Sequence, residues 1–583
     1  MIHAPADRAK NTRNAAVPDL IAALLQAGRA VDAEAQCRMA LKTKPGQPDL
    51  LFLLAQALAA QGQLLHAEKT LDKALSRAPK VVAGWMLAGT LADHLGNAER
   101  STKAWGQVTR LAPSSGAWFN LGNAQRRLGK QAQAAQSYEK AHLADPQDAT
   151  ILSALIGRRQ ALCQWDGLDV LTRRLETLID AGKPGIQPFR LLALDMGQGY
   201  HLKAAQTAAS IFPKHPRPLI TKKERPVIGY VSADFHTHAT AWLMAEVFEL
   251  HDRQAFETHA FSTGQNDNSA VRRRLEAAFD QFHSLQNATD QEIATEISRF
   301  NVDILVDLKG YTRDGRLGVF GLRPAPVQVS WIGYPGTTGV DFIDYVIGDR
   351  WVLPMEDQPF YTEKIIQLPN SYQCNDRKRP IPQALSRNAY GLPADGMVLA
   401  CFNAPYKYGP AVFDVWMRLL AARPNTHLWL MGGEDEAEKA LLARAKGFGL
   451  KGRITFARHV PLEEHLARHG TVDLVLDTLP YNAHTTGSDA LWMGCPVLTC
   501  PGDSFAARVG ASLVSAAELP DLIVKDLAAY EATALELIDT PQRLQDYRTH
   551  LETNRLKLPL FDTPTLVRDL EEAYRTMLCT VSS

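Results

Sequence analysis

Residues 472–502 read VDLVLDTLPYNAHTTGSDALWMGCPVLTCPG, and this stretch decides the fold of the C-terminal half. The run at 472–477 is apolar at four of its six positions and short, the pattern of a strand buried in a sheet. A loop follows, then His484-Thr485-Thr486-Gly487, a helical pattern from about Ser488, and a returning strand in CPVLTC. Strand, helix and strand in sequence form the unit of a parallel sheet.

The same alternation extends upstream to Pro226. One block offers MVLACFN, HLWLMGG, RITFAR, VDLVLDT and CPVLTC as strands; an earlier block offers VIGYVS, THAFS, VDILVDL, VQVSWIGY and DYVIGD. A polar joint near 375–385, containing QCNDRKRPIPQ, separates them. Two doubly wound α/β domains in series create a cleft at their strand C-termini, where such sheets bind ligands.

The first third follows a different rule. Pro45, Pro79 and Pro113 are 34 residues apart, and Gly28, Gly62 and Gly96 keep the same interval. Gly129 and Pro146 each follow one residue short of it. Helical patterns such as Leu50, Leu53, Leu54, Ala57 and Leu58 precede each glycine, and others such as Ala67, Leu71, Ala74 and Leu75 follow it. Glycine supplies the left-handed turn that ends one helix, and proline opens the next pair. A 34-residue helix–turn–helix period resembles the tetratricopeptide repeat, whose units bury their apolar faces only by stacking. Such an array offers a groove to an extended polypeptide; the competing reading is a scaffold or an arm that joins two copies into a homodimer. Residues 151–222 stay helical without the period and read as a connector.

Composition narrows the partners. The 63 basic residues balance the 63 acidic ones, so neither nucleic acid nor an anionic membrane is expected. Seven scattered cysteines form no C-x-x-C pair, which argues against zinc and for a reducing compartment. The opening MIHAPADRAKNTRN lacks the apolar core of a secretory signal, and no run reaches the length of a membrane span. These features lead to the expectation of a cytoplasmic protein with a disordered segment at 1–15.

Chemistry concentrates at strand ends. Thr485, Thr486 and Gly487 place hydroxyls and backbone N–H groups at a helix start, a seat for phosphate or diphosphate. Ordinary N-capping by Thr486 explains the same residues. Asp489, one turn on, is suited to ribose hydroxyls. Lys407, in CFNAPYKYGP, follows a strand, and a cation there would neutralise a diphosphate leaving group. The chain holds no Asp-x-Asp pair, the usual metal–diphosphate grip, so no metal is expected. His236 and His238, in SADFHTHATAW, sit in a strand-to-helix loop where either would orient or deprotonate an acceptor hydroxyl. The small tip Thr337-Thr338-Gly339 is placed to line a sugar pocket.

Repeats followed by SADFHTHATAW, GLRPAPVQVSWIGYPGTTG, FNAPYK, PLEEHLAR and YNAHTTGSDALWMGCPV resemble the protein O-linked N-acetylglucosamine transferases. The resemblance spans about residues 16–575. It implies an α superhelix at 16–150, a connector at 151–222, and a glycosyltransferase-B fold of two Rossmann-like lobes. The lobes fall at 223–380 for the acceptor and 381–560 for the nucleotide sugar, and a helix at 561–583 closes back on the first. It implies metal-independent, inverting transfer from UDP-GlcNAc to Ser or Thr of proteins, with no cofactor. His238 matches the active-site histidine and Lys407, beside Tyr406, the lysine on the diphosphate. His484, Thr485 and Thr486 match phosphate and uridine contacts, Asp489 the ribose carboxylate, and His465 and Arg468 residues around sugar and base. Departures are Ala404 in place of an amide, Leu462 in place of the animal lysine, and Thr237 and Ala239 around His238. The missing insertion between the lobes is the bacterial pattern. A GDP-fucose-dependent protein O-fucosyltransferase and a nucleotide-binding scaffold remain the alternatives, the HTTGSD motif favouring a UDP-sugar.

Overall fold

The computed structural model describes residues 17–220 and 223–582, so the segment expected to be disordered at 1–15 lies outside them. The chain divides into two compact units, with the division between Arg158 and Arg159.

The first unit is a stack of antiparallel helix pairs: Val17–Gln26 with Ala30–Thr43, Pro48–Ala60 with Leu64–Arg77, Val82–His94 with Ala98–Leu111, and Ser115–Arg127 with Gln131–Ala144. Gly28, Gly62, Gly96 and Gly129 all turn at φ between +70° and +77°, where a side chain would be strained. The periodic prolines fall in the turns just before each new pair, while Pro48 occupies the first turn of its helix. Two further glycines act on packing. A Cβ at Gly89 would lie 2.6 Å from the Trp105 ring, and one at Gly122 would lie 2.6 Å from the Tyr138 ring. Each large ring therefore seats on bare backbone of the preceding helix, which lets paired helices approach closely. Ile21, Cys37, Leu54, Leu58 and Leu71 belong to one continuous core that no single pair encloses.

The second unit holds two parallel sheets. The strands of the first are β1 (Val227–Ser232), β2 (Glu257–Ser262), β3 (Gln281–Ser284), β4 (Ile304–Asp307), β5 (Val327–Ser330), β6 (Tyr345–Asp349) and β7 (Lys364–Leu368). Their order is β3-β2-β1-β4-β5-β6-β7. The second sheet comprises β8 (Met397–Cys401), β9 (Thr426–Met431), β10 (Ile454–Ala457), β11 (Leu474–Leu476) and β12 (Val497–Leu498), in the order β10-β9-β8-β11-β12. Strand order reverses between β1 and β4 and again between β8 and β11. Loops leaving those four strands diverge and open a crevice in each lobe. The final helix, Thr563–Ser582, packs against the first lobe: Tyr574 Oη lies 3.1 Å from Tyr230 Oη, and Glu571 lies 2.9 Å from His251 Nδ1.

Two strands escaped the sequence reading. β3 carries a single large apolar residue, Phe282, and β7 opens on exposed Lys364 and fully buries only Ile365 and Leu368, so neither edge strand shows the unbroken buried run of a central one. The supposed connector is also more than a link. From Arg159 onward its helices Leu168–Asp180, Pro188–Leu191 and Gln198–Ala209 belong to the second unit. Trp165 packs its ring 5.7 Å from Phe413, Gln160 donates to the Tyr406 carbonyl at 3.1 Å, and Phe189 meets Tyr481. No helix among the described residues is long and apolar enough to cross a membrane.

Candidate active site

A cavity of about 380 Å³ opens between the two sheets, and all four switch-point loops line it. The loop after β1 contributes Asp234 and His238, and that after β4 contributes Lys309 and Thr312. The loop after β8 brings Tyr406 and Lys407; that after β11 brings Tyr481, His484, Thr485 and Thr486. The sequence motifs far apart in the chain are thus assembled by topology alone.

Pro405–Lys407 forms a single 3-10 turn, and Lys407 Nζ donates to the Asn482 carbonyl at 3.1 Å while lying 4.1 Å from the Tyr481 ring centre. Burial pushes the ammonium down to about 8, although Asp477 nearby pulls it up. Asp477 is itself pushed up to about 6 by burial and is held by Thr499 at 2.6 Å and the Ala483 amide at 2.6 Å. A half-desolvated cation facing a polar cavity is poised for an anion.

The helix Thr485–Trp492 starts beside it, with His484 at the N-cap position and no side chain capping. The Thr486 hydroxyl donates to Asn403 Oδ1 rather than capping its own helix. Amides of Gly487 and Ser488 return to the His484 carbonyl at 3.0 and 3.1 Å. The Thr485 and Thr486 amides have no acceptor among the described residues, and they and Lys407 share one cavity wall. Burial, with Lys407 close by, keeps His484 neutral.

His238 faces from the other lobe. It caps the helix Ala239–Leu250, its Nδ1 accepting from the Thr240 amide at 3.2 Å, and Asp234 Oδ2 lies 3.4 Å from the same nitrogen. Desolvation lowers its basicity, Asp234 opposes that, and Lys309 and His236 reinforce it. Lys309 Nζ grips both oxygens of Asp234 at 2.8 and 2.7 Å. Neither Asp234 nor Lys309 stood out in the sequence reading. Their signals were the four-residue spacing to His238 and a lysine at the end of an apolar strand.

Other expected residues lie elsewhere. Asp489 is buried and ion-paired to Arg379 at 2.8 Å, with His465 Nε2 3.6 Å from its other oxygen. Arg468 lies 4.4 Å over the Phe402 ring, and burial pushes it down to about 10. His465 and Arg468 pack on Phe402, with Asp489 beside His465, and none of the three is among the residues lining the cavity. The Thr337-Thr338-Gly339 tip does not line it either. Both threonines bind the buried Glu363, and a Cβ at Gly339 would strike the Ala205 backbone at 2.5 Å. Its glycine serves helix packing, which corrects the sugar-pocket expectation. Among the described residues no group of three or more His, Cys, Asp or Glu is placed to hold a metal ion.

Fold and cavity together define a two-lobed α/β protein with a buried lysine beside an uncapped helix start in one lobe and a histidine–carboxylate pair in the other. The chain belongs to glycosyl transferase family 41, whose model matches residues 205–385 and 381–570. Tetratricopeptide repeat models match 24–91 and 115–148. It is 34% identical over 451 residues to a probable UDP-N-acetylglucosamine–peptide N-acetylglucosaminyltransferase of Arabidopsis thaliana, covering 73% of this chain and 46% of that one. It is 26% identical over 550 residues to the Caenorhabditis elegans enzyme of that name, covering 71% and 47%. The chain therefore spans about half the length of the curated relatives it matches. A solved structure of a Thermobaculum terrenum O-GlcNAc transferase mutant superposes with a TM-score of 0.67 at 28% identity, covering 92% of this chain and 98% of that one.

Proposed function

We propose that the chain transfers N-acetylglucosamine from UDP-N-acetylglucosamine to serine or threonine of proteins, with inversion and without a metal ion. The observation that carries this reading is the wall formed by Lys407 and the unclaimed Thr485 and Thr486 amides, with His238 in the opposing lobe. The names borne by the relatives point to the same donor and acceptor.

In this scheme the diphosphate rests on Lys407 and the helix start. The acceptor oxygen attacks the anomeric carbon from the face opposite the diphosphate; the bond from that carbon to the β-phosphate oxygen breaks, and its electrons leave with UDP. Charge develops where Lys407 and two backbone dipoles already stand, so no metal is needed to neutralise it. The acceptor proton goes to a base. Nδ1 of His238 accepts from the Thr240 amide, so the neutral ring carries its proton on Nε2 and orients the acceptor as a donor; it serves as base only once Nδ1 releases Thr240 and turns a proton to Asp234, 3.4 Å away. The repeats present the acceptor polypeptide, as arrays of this type present grooves.

Calorimetric titration with UDP, UDP-GlcNAc, GDP and GDP-fucose in the presence of EDTA tests the reading. UDP and UDP-GlcNAc are expected to bind. Preference for GDP would make the chain a fucosyltransferase, and binding of none of the four would leave a scaffold.

UDP affinity is expected to depend on pH through Lys407. With its value depressed to about 8, the ammonium is half lost at that pH, nearly complete a unit below it and nearly gone a unit above. Affinity should be flat from pH 6.5 to 7.5, then weaken by up to about tenfold per unit above pH 8. Above pH 7.5 the UDP phosphates are already ionised, so unchanged affinity at pH 9.5 would remove Lys407 from the diphosphate site.

A further inference from the structure

One polar group in the cavity has no role in the scheme above. Gln373 lines the cavity and is only 2% exposed, yet its Nε2 has no acceptor among the described residues. Its backbone is held from several directions. Trp331 Nε1–H donates to the Tyr372 carbonyl at 3.0 Å, the Tyr372 amide donates to Asp349 at 3.0 Å, and the Gln373 amide donates to Ser371 Oγ at 3.2 Å. Two residues on, Asn375 Nδ2 donates to the Leu560 carbonyl at 3.1 Å. A side chain delivered so rigidly and left unpaired is unfavourable in the empty protein, and a ligand oxygen that satisfies it recovers that loss.

We infer that Gln373 recognises an oxygen of the transferred sugar, a hydroxyl or the acetamido carbonyl; this rests on the nucleotide-sugar reading above. The choice of sugar over phosphate follows from the walls of the cavity. Lys407 and the Thr485 and Thr486 amides are second-lobe groups, whereas Gln373 belongs to the first lobe with His238. A neutral amide suits a neutral oxygen, while the opposing wall pairs a cation with a free helix start, the combination that suits a phosphate. Of the charged groups on that wall, Lys309 holds Asp234 and Asp234 lies beside His238, while Arg313 is exposed. Gln373 is thus a buried neutral donor on that wall with nothing to donate to.

Gln373→Met keeps the length of the side chain and removes only its hydrogen-bonding atoms. Titration of wild type and variant with UDP and with UDP-GlcNAc reads the effect. UDP should bind both proteins within about twofold, while UDP-GlcNAc binds the variant about tenfold more weakly. The thermal midpoint of the unliganded variant should equal or exceed that of wild type, since an unmet buried donor has gone. Equal weakening for UDP and UDP-GlcNAc would overturn the assignment, as would unchanged affinity for both. A wild type that binds neither ligand would overturn the nucleotide-sugar reading itself, and the role of Gln373 with it.

Discussion

Replacing Lys407 with alanine is expected to lower turnover about a hundredfold while leaving the fold intact. A hundredfold loss corresponds to about 2.7 kcal/mol, within the usual effect of one charge-stabilising donor in a water-poor site. Lys407 combines a position on the cavity wall, an ammonium 3.1 Å from the Asn482 carbonyl, and burial that pushes its proton affinity down to about 8. That depression gives the sign of the stability effect. A lysine whose folded-state value lies below its unfolded one opposes folding when charged, so at pH 7 its removal relieves a cost. The lost contacts are one carbonyl hydrogen bond and the Tyr481 ring face. Single-turnover rates at saturating UDP-GlcNAc, measured with the thermal midpoint, separate the two effects. Near-normal turnover would sink the mechanism; a collapsed midpoint would show Lys407 to be structural.

The legibility of this chain differed by element for physical reasons. The repeats announced themselves because two residue types with separate backbone duties, glycine at positive φ and proline between pairs, keep one period. Central strands such as β1 and β11 were evident since both faces are buried and nearly every position is apolar. β3 and β7 were not, because an edge strand has no such demand. The site divides the same way. Lys407 and Thr485-Thr486 could be placed since each follows a recognisable strand directly, and strand ends at a switch point face the cleft. Asp234 with Lys309, and Gln373, depend on pairings between loops tens of residues apart, which no local pattern encodes. Gly339 misled because a small residue after a rigid loop fits a ligand pocket and a tight helix contact equally well.

Arg379→Met should destabilise the second unit by about 3–5 kcal/mol, the usual result of stripping one partner from a buried ion pair. The Arg379 and Asp489 side chains are 3% and 5% exposed and joined at 2.8 Å. The guanidinium also donates to Asn375 Oδ1 at 3.2 Å and lies 4.9 Å over the Trp492 ring, so it ties the inter-lobe joint to the helix whose start lines the cavity. Without it, Asp489 keeps the His465 ring, 3.6 Å away, and the Arg468 guanidinium as neighbours. A second substitution isolates the electrostatic cause. Arg379→Met combined with Asp489→Leu removes both charges and fills the space with apolar atoms, so it should recover most of the lost stability. Denaturant unfolding of the single and double variants measures the coupling directly. A single variant within about 1 kcal/mol of wild type would mean that water reaches Asp489. A double variant no better than the single would place the cost in the lost stacking on Trp492 instead. Since Asp489 sits one turn beyond Thr485 and Thr486 on the same helix, the single variant should also weaken UDP binding by loosening that helix start, and the double variant, which restores the fold, should restore that affinity.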